Sequence, residues 1–214
     1  MRIGVLGTGM VGQTIGTKLV QLGHEVRIGS RDAGNEKARQ WVVNAGPRSS
    51  HGTFSDAASF GELLFNCTSG DGSLSALKAA GEKNLSGKVL VDVANPLNMK
   101  KVPLPELSFC NEDSLGERIQ REFPKARVVK SLNTMNCQLM VDPGKVEGSH
   151  DVFVCGNDAD AKATVKELLR EFGWHEPIDL GDISASRGTE MVMPIWLRLM
   201  VSLKTPMFNF HVAR

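Results

Sequence analysis

Met-Arg-Ile-Gly-Val-Leu-Gly-Thr-Gly-Met-Val-Gly, residues 1–12, is the stretch from which the fold of this chain can be inferred. The apolar run at residues 3–6 is typical of a buried strand, and the glycines that follow have the spacing G-x-G-x-x-G. A helical pattern of apolar residues comes next and ends at Gly23. Strand, glycine turn and helix in this order form the context that a dinucleotide-binding site requires.

Each glycine of this turn has a distinct physical role in such a site. Gly7 permits the tight turn, Gly9 lets the backbone approach a pyrophosphate, and Gly12 lets the helix pack closely on the strand. The free N–H groups and the positive end of the helix then face the phosphates. A plain glycine-rich turn is the alternative interpretation.

Composition narrows the class of protein. The 214 residues are 41% hydrophobic and 23% charged, as in ordinary globular proteins, and the net charge of +1 favours neither nucleic acid nor an anionic membrane as a partner. Four widely spaced cysteines argue against a zinc site or a disulfide framework. A first strand close to Met1 leaves no room for a signal peptide, and the apolar stretch 191–203 is too short to span a membrane. We therefore expect a cytoplasmic protein with no metal site and no membrane segment.

The end of the second predicted strand, residues 25–29, indicates which cofactor is bound. An NAD site offers a carboxylate there to the ribose 2′-OH, whereas an NADP site offers polar and cationic groups to the 2′-phosphate. Ser30 and Arg31 match the NADP pattern, and Lys37 could add a further positive contact. Asp32 is expected to face away and cap the next helix. The alternative is that Arg31 is only a solvated surface residue.

Strands and helices alternate along the chain, which predicts an α/β fold with a doubly wound, mostly parallel sheet. Ligands of such sheets bind at the carboxyl ends of the strands. The loop at residues 68–72 is therefore expected to border the cofactor, with a simple turn as the alternative. Asn95 is held at a strand end by Pro96 and is expected to point into the cleft, next to Asn133 at the end of the following strand.

We predict two parts of the chain. Residues 1–185 would form the nucleotide-binding domain, and residues 186–214 a helical tail, broken at Pro194, that covers the cleft or makes a dimer contact. The tail is rich in apolar side chains, which predicts a homodimer, although such a tail could instead pack on its own domain. Residues 97–111 are interpreted as a loop beside the active site.

Five segments, taken in chain order, resemble one family. It is the family of NADPH:deazaflavin-coenzyme (factor 420) oxidoreductases, whose relatives include the cytoplasmic domain of the six-transmembrane metalloreductases. The segments are GTGMVG at 7–12, GHEVRIGSR at 23–31, VDVANP at 91–96, VVKSLNT at 128–134 and DLGDISASR at 179–187.

The resemblance implies a Rossmann-type fold, NADP(H) as cofactor and a set of cofactor-binding residues. The pyrophosphate would lie on Gly7, Thr8, Gly9, Met10 and Val11, and the 2′-phosphate on Thr8, Ser30, Arg31 and Lys37. The adenosine and nicotinamide-ribose path would be lined by Cys67, Thr68, Ser69 and Gly70. Asn95, Met135 and Cys137 would lie near the nicotinamide, and Gly12, Pro96 and Asn133 complete the predicted set.

The chain contains no Ser-His-Asp or Cys-His grouping, and none of its histidines has a partner at metal-ligand spacing. Direct hydride transfer needs no catalytic side chain, because the cofactor supplies the chemistry and the protein supplies orientation. We therefore predict an NADP(H)-dependent oxidoreductase that transfers hydride to or from a flavin-like acceptor, either a deazaflavin or a flavin. Two alternatives are a non-catalytic NADP(H)-binding sensor or subunit, and a dehydrogenase of a small carbon substrate.

The residues expected at the acceptor site follow from this hypothesis. A planar acceptor needs apolar walls, for which the candidates are Leu97, Met135 and Trp196. The anionic tail of a deazaflavin coenzyme needs positive charge at the mouth of the cleft, for which the candidates are Lys100, Lys101, Arg187 and Arg198. A small-substrate dehydrogenase would need a lysine or histidine acid in the cleft, and Lys130 is a poor candidate because it lies within a predicted strand.

Overall fold

The computed structural model of the chain describes residues 1–213. The strands are β1 Arg2–Leu6, β2 Glu25–Ser30, β3 Ser49–Thr53, β4 Leu63–Asn66, β5 Val89–Asp92, β6 Leu97–Asn98, β7 Glu106–Leu107, β8 Arg127–Ser131, β9 Phe153–Cys155 and β10 Ile178–Asp179. The α-helices are α1 Met10–Gln21, α2 Glu36–Ala45, α3 Phe54–Phe60, α4 Gly70–Ala80, α5 Glu82–Leu85, α6 Leu115–Glu122, α7 Cys137–Val141, α8 Ala159–Phe172, α9 Ser186–Met191 and α10 Met193–Leu203.

Eight strands form one sheet in the order β10-β9-β8-β5-β4-β1-β2-β3. All neighbours are parallel except β8 and β9, which are antiparallel. The order β3-β2-β1-β4-β5-β8 is the complete 3-2-1-4-5-6 order of a Rossmann sheet, and β9 and β10 extend it on one side. The predicted doubly wound, mostly parallel sheet is therefore confirmed.

Helices cover both faces of the sheet, as parallel strands require. One apolar cluster packs the sheet against α1, α7 and α8, and a second packs it against α3, α4 and α6. The central strands β4 and β5 are buried along their whole length, which explains their continuous apolar sequence. The carboxyl ends of β1, β4, β5 and β8 consequently meet at one edge, where a ligand can reach them.

The tail forms two helices, as predicted from Pro194. That residue lies in the first turn of α10, where its missing N–H costs no hydrogen bond. Met193, Trp196 and Leu197 pack against Leu97, Leu104, Leu107, Met200, Phe208 and Phe210. The tail therefore packs on the segment that follows β5.

Two local expectations differ from the structure. The segment at 97–111 is not entirely a loop, because β6 and β7 pair in a short antiparallel hairpin. The sequence at 174–180 also predicts a last strand, but only Ile178 and Asp179 pair with β9. Within residues 1–213, no helix is both long enough and apolar enough to cross a membrane.

Candidate active site

The glycine turn between β1 and α1 has the geometry that the sequence predicts. Gly7 has φ +121°, and a Cβ there would lie 2.5 Å from the carbonyl oxygen of Cys67. A Cβ on Gly12 would collide with the carbonyl oxygen of Gly7, whereas a Cβ on Gly9 would meet no atom within 4 Å. Gly7 and Gly12 are thus required by packing, and Gly9 leaves an open approach to the backbone.

The start of α1 is free to bind an anion. Its N-cap residue Gly9 has no side chain to accept a hydrogen bond, and its first turn contains no acidic residue. The side chain of Gln13 donates to the carbonyl of Thr8 at 3.0 Å and so stabilises the glycine turn. Unsatisfied N–H groups at a helix start, with the helix dipole behind them, fit a pyrophosphate.

A cavity of about 620 Å³ lies beside this turn, and we call it the cofactor cavity. Ser30 and Arg31 at the end of β2 line it together with one side of α4, from Gly72 to Ala79. Arg31 is exposed, and its guanidinium has no carboxylate partner in the part of the chain that the structure describes. An unpaired guanidinium that lines the same cavity as the helix start provides positive charge for the 2′-phosphate of an NADP molecule, while the helix start suits its pyrophosphate.

Asp32 neither caps the following helix nor faces away, since it lines the cofactor cavity beside Arg31, so that expectation is wrong. Its carboxylate accepts from the N–H of Gly34 at 2.8 Å and closes a local turn. Asn35 is the N-cap of α2, and its side chain accepts from the N–H of Ala38 at 3.0 Å. The turn formed by Asp32 delays the helix start by three residues.

A second cavity, of about 220 Å³, lies at the ends of β4, β5 and β8, and we call it the acceptor cavity. It shares Cys67, Thr68 and Ser69 with the cofactor cavity, so the two are adjacent. Asn95 and Asn133 bond each other across it: Asn95 Nδ2 donates to the Asn133 carbonyl at 2.7 Å, and Asn133 Nδ2 donates to Asn95 Oδ1 at 2.9 Å. The remaining wall is mainly apolar, from Val11, Val93, Leu97, Met99, Met135, Met140 and Met193.

Most predicted cofactor residues line one of these two cavities. The cofactor cavity is lined by Gly7, Thr8, Gly9, Ser30 and Arg31, the acceptor cavity by Val11, Gly70, Asn95, Asn133 and Met135, and both by Cys67, Thr68 and Ser69.

Five predicted residues line neither cavity: Met10, Gly12, Lys37, Pro96 and Cys137. The side chains of Met10 and Lys37 are exposed on α1 and α2. Pro96 packs closely against Gly70, since a Cβ added to Gly70 would lie 2.7 Å from the Cα of Pro96. Cys137 is buried and lies 3.7 Å from the hydroxyl of Thr14. Direct contact of these side chains with a cofactor stays a prediction.

Three of the residues expected at the acceptor site contact other residues in the structure. Trp196 is buried in the tail cluster, where it stacks on Phe208 with ring centroids 5.5 Å apart, and does not line the cavity. Arg187 is held by the carboxylate of Glu117, with nitrogen to oxygen distances of 2.8 and 2.6 Å. Lys101 lies 3.7 Å from Glu106. By contrast, Lys100 and Arg198 have no ion-pair partner among residues 1–213.

Cys67 is the ionisable side chain that the two cavities share. Burial raises the pKa of its thiol, and the nearby charge of Asp92 raises it further. The thiol therefore stays protonated near neutral pH and cannot act as a thiolate nucleophile. This agrees with a site that orients two reactants without a covalent step.

A row of polar side chains beneath the cavities was not predicted from the sequence. Asn66, Asp92 and Lys130 are neighbours on adjacent strands, and each is at most 1% exposed. A detectable signal existed, because Asp92 and Lys130 interrupt otherwise apolar strands. Their pairing was not visible, since it depends on the register of β5 against β8.

The glycine turn, the unpaired arginine and the adjacent apolar cavity together define a class of protein, the NADP-dependent oxidoreductases. The profile of the family described as "NADP oxidoreductase coenzyme F420-dependent" matches residues 2–96. A crystal structure from Arthrobacter sp. FB24, provisionally named an F420-dependent NADP-reductase, is 51% identical, covers 99% of both chains and superposes with a TM-score of 0.94. The chain belongs to this family of F420-dependent NADP oxidoreductases.

Two curated relatives have lower identity. The F420-dependent NADP reductase of Methanocaldococcus jannaschii is 27% identical over 214 residues, which is 96% of this chain and 95% of that protein. Metalloreductase STEAP3 of Rattus norvegicus is 31% identical over 206 residues, which is 96% of this chain but 38% of that protein. The chain thus spans about two fifths of the length of the metalloreductases that it matches.

These findings confirm the predicted family, the Rossmann-type fold and the cofactor class, NADP(H). The identity of the hydride acceptor is a separate question, because the family's relatives differ in their names and lengths.

Proposed function

We propose that this protein transfers hydride between NADP(H) and a planar, flavin-like acceptor, either a deazaflavin or a flavin. The observation that carries the proposal is the adjacency of the two cavities. The cofactor cavity is polar at its phosphate end, and it meets a mainly apolar acceptor cavity at Cys67, Thr68 and Ser69. Bound NADPH would supply the hydride, and the chain would hold the two rings in contact and exclude water.

The residues of the acceptor cavity suit a flat aromatic ring. Methionine side chains are polarizable and adaptable, and they pack favourably against aromatic rings. Met99, Met135, Met140 and Met193 line the cavity from four different segments. The paired amides of Asn95 and Asn133 provide the few fixed polar groups that orient a ring in an apolar cleft.

The alternative of a small-substrate dehydrogenase is less well supported. Such an enzyme needs a general acid in reach of its substrate, but the lining residues of the acceptor cavity include no lysine, histidine, aspartate or glutamate. Lys130 is 1% exposed and does not line the cavity. The non-catalytic sensor remains the main competitor, because it needs the same cofactor cavity.

A neighbouring feature favours an acceptor with an anionic tail. A third cavity of about 280 Å³ lies between the hairpin segment 102–107 and α10, and Arg198 lines it. Pro194 and Leu197 of the same helix form its apolar side, next to Met193 of the acceptor cavity. We assign Arg198 and Lys100 as the cations that would bind the anionic tail of the acceptor.

The test is an anaerobic assay of NADPH oxidation, followed by nicotinamide absorbance, with deazaflavin coenzyme, FMN, FAD and a quinone as separate acceptors. We expect turnover with the deazaflavin or with a flavin. Tight NADPH binding without turnover on any acceptor would contradict hydride transfer and favour the sensor.

A pair of matched variants tests the location of the acceptor. Met99 is 70% exposed and lines the acceptor cavity, so Met99→Gln is expected to keep the fold and raise the acceptor KM by about fivefold, or roughly 1 kcal/mol. The NADPH dissociation constant should not change. Val43→Gln is the control, since Val43 is exposed on α2 and lines neither cavity. Equal effects of the two variants would contradict the proposed location.

We also propose a homodimer, formed by the exposed face of the tail. Met191, Ile195 and Val201 are 40%, 54% and 56% exposed along one side of α9 and α10, and such an apolar stripe often marks an interface. Light scattering at micromolar concentration should give twice the mass of one chain, and a monomer would refute the dimer. The boundary between domain and tail near residue 185, and the cytoplasmic location, stay predictions.

A further inference from the structure

A buried row of polar side chains runs across three strands directly beneath the two cavities. Asn66 on β4 lies beside Asp92 on β5, which lies beside Lys130 on β8. Asn66 Nδ2 donates to Asp92 Oδ1 at 2.8 Å, and Lys130 Nζ donates to Asp92 Oδ2 at 2.8 Å. Both oxygens of the Asp92 carboxylate are therefore fixed from opposite sides.

The ammonium of Lys130 also forms an ion pair with α9 of the C-terminal tail. Lys130 Nζ lies 2.7 Å from Glu190 Oε1 on α9, and the Glu190 carboxylate accepts from the first N–H groups of α6, at Leu115 and Gly116. Lys130 and Asp92 have fully buried side chains, and Glu190 is 3% exposed. A single cation thus joins the centre of the sheet to α9.

The same ammonium supports the residues that line the cavities. Lys130 Nζ donates to the carbonyl oxygen of Ala94 at 2.5 Å, immediately before Asn95. At the other end of the row, Asn66 Oδ1 accepts from the hydroxyl of Thr68 at 2.7 Å. Thr68 lines both cavities and Asn95 lines the acceptor cavity. The row therefore has direct bonds to groups on either side of the expected nicotinamide position.

The charges in this row are unbalanced, because one ammonium faces two carboxylates. Desolvation lowers the pKa of Lys130, but Asp92 and Glu190 raise it by more, so Lys130 keeps its proton. Burial raises the pKa of Glu190, although Lys130 and the Leu115 N–H oppose that shift. Buried ion clusters of this kind contribute little net stability, and well-packed apolar groups can often replace them. Stability alone is therefore a weak explanation of the cluster.

We propose that Lys130 is a positioning residue for the nicotinamide end of the cofactor: it fixes Ala94 and Asp92, and through them Asn95 and Thr68, and ties this arrangement to α9 through Glu190. The proposal rests on the proposed placement of NADP(H). Lys130 touches neither the cofactor cavity nor the acceptor cavity, so its effect is indirect.

The test compares the binding of NADPH with that of 2′,5′-ADP, which has the adenosine and 2′-phosphate but no nicotinamide. Lys130→Met is the direct variant. Because it leaves two buried carboxylates unpaired, a charge-free variant with Asp92→Asn, Lys130→Met and Glu190→Gln keeps the test valid if the single variant does not fold. Circular dichroism checks folding, and calorimetric titration gives both dissociation constants.

We expect the folded variant to bind NADPH at least tenfold more weakly than the unaltered protein does. Its dissociation constant for 2′,5′-ADP should stay within twofold of that of the unaltered protein. Arg187→Met is the matched control, since its ion pair with Glu117 also joins α9 to α6 but has no bond to the strand ends. The control should leave both constants unchanged.

Three results would overturn the proposal. One is unchanged NADPH binding in the folded charge-free variant, and another is an equal loss for NADPH and 2′,5′-ADP. The third is an equal effect of Arg187→Met. These three results would leave the proposed placement of NADP(H) intact. If the unaltered protein binds no NADPH, that placement fails as well.

Discussion

The two sides of this site are built by different means. On the side of β1 and α1, the pyrophosphate end of the cofactor cavity is formed mainly by backbone: a turn at positive φ, a close helix contact and free N–H groups. On the side of β5, β8 and the tail, the acceptor cavity is formed by side chains from distant segments, such as Met99, Met140 and Met193. Backbone geometry leaves a local sequence pattern, whereas contacts between distant side chains do not.

This difference also predicts how the two sides respond to substitution. A backbone-built site should be disrupted by one added methyl group, because no rotamer can relieve the contact. A site built from side chains should tolerate similar changes, since flexible side chains can repack.

The largest expected effect comes from a pair of glycine substitutions. Gly12→Ala places a Cβ against the carbonyl oxygen of Gly7 and should lower the free energy of unfolding by about 2–3 kcal/mol. Gly188→Ala is the control on the tail, where a Cβ meets no atom within 4 Å, and it should be neutral or stabilising by up to about 1 kcal/mol. Urea unfolding measures both. Equal free energies of unfolding for the two variants would contradict the distinction between the backbone-built side and the side-chain-built side.

Gly9→Ala separates binding from folding on the backbone-built side. Gly9 has φ −78°, and a Cβ there meets no atom within 4 Å, so stability should fall by no more than about 1 kcal/mol, the cost of alanine at an N-cap. The methyl group would nevertheless occupy the approach to the pyrophosphate. We expect NADPH to bind about tenfold more weakly, or about 1.4 kcal/mol, by calorimetric titration. Unchanged affinity would show that no phosphate lies on this turn.

The smallest expected effect concerns acid stability on the opposite side of the sheet. The hydrogen bonds from Arg127 and the N–H of Ala161 lower the pKa of Asp158 from 3.8 to about 2. The unfolded chain therefore binds more protons between these values, so the stabilisation is complete above about pH 4 and is lost as the pH falls towards 2. Asp158→Asn keeps a capping side chain and should reduce the change in urea midpoint between pH 5 and pH 2.5. Asp160→Asn, which removes a nearby charge without breaking the Arg127 pair, should change it less, and an equal reduction would contradict this assignment.

The same contrast explains how far the sequence could predict this molecule. The alternation of strands and helices, the glycine roles and the position of Ser30 and Arg31 follow from local patterns with one physical meaning. Asp32 and Asn35 could both cap a helix, and only the turn geometry decides between them. Trp196 and Arg187 are expected at the cleft from the sequence, because their contacts with Phe208 and Glu117 leave no local pattern that could be recognised. The Asp92–Lys130–Glu190 cluster was missed for the same reason.

Arg31 provides the most direct test of the claim that this cavity is an NADP site. We expect calorimetric titration of the unaltered protein to give NADPH an affinity at least about thirtyfold above that of NADH, because a charge-assisted pair with the 2′-phosphate contributes roughly 2–3 kcal/mol. Arg31→Ala should remove most of that difference and leave NADH binding almost unchanged. The control is Lys83→Ala, which removes an exposed charge on α5 that lines neither cavity and should have less than a twofold effect. Equal affinity of the unaltered protein for NADPH and NADH, or an equal loss of both in Arg31→Ala, would contradict the account.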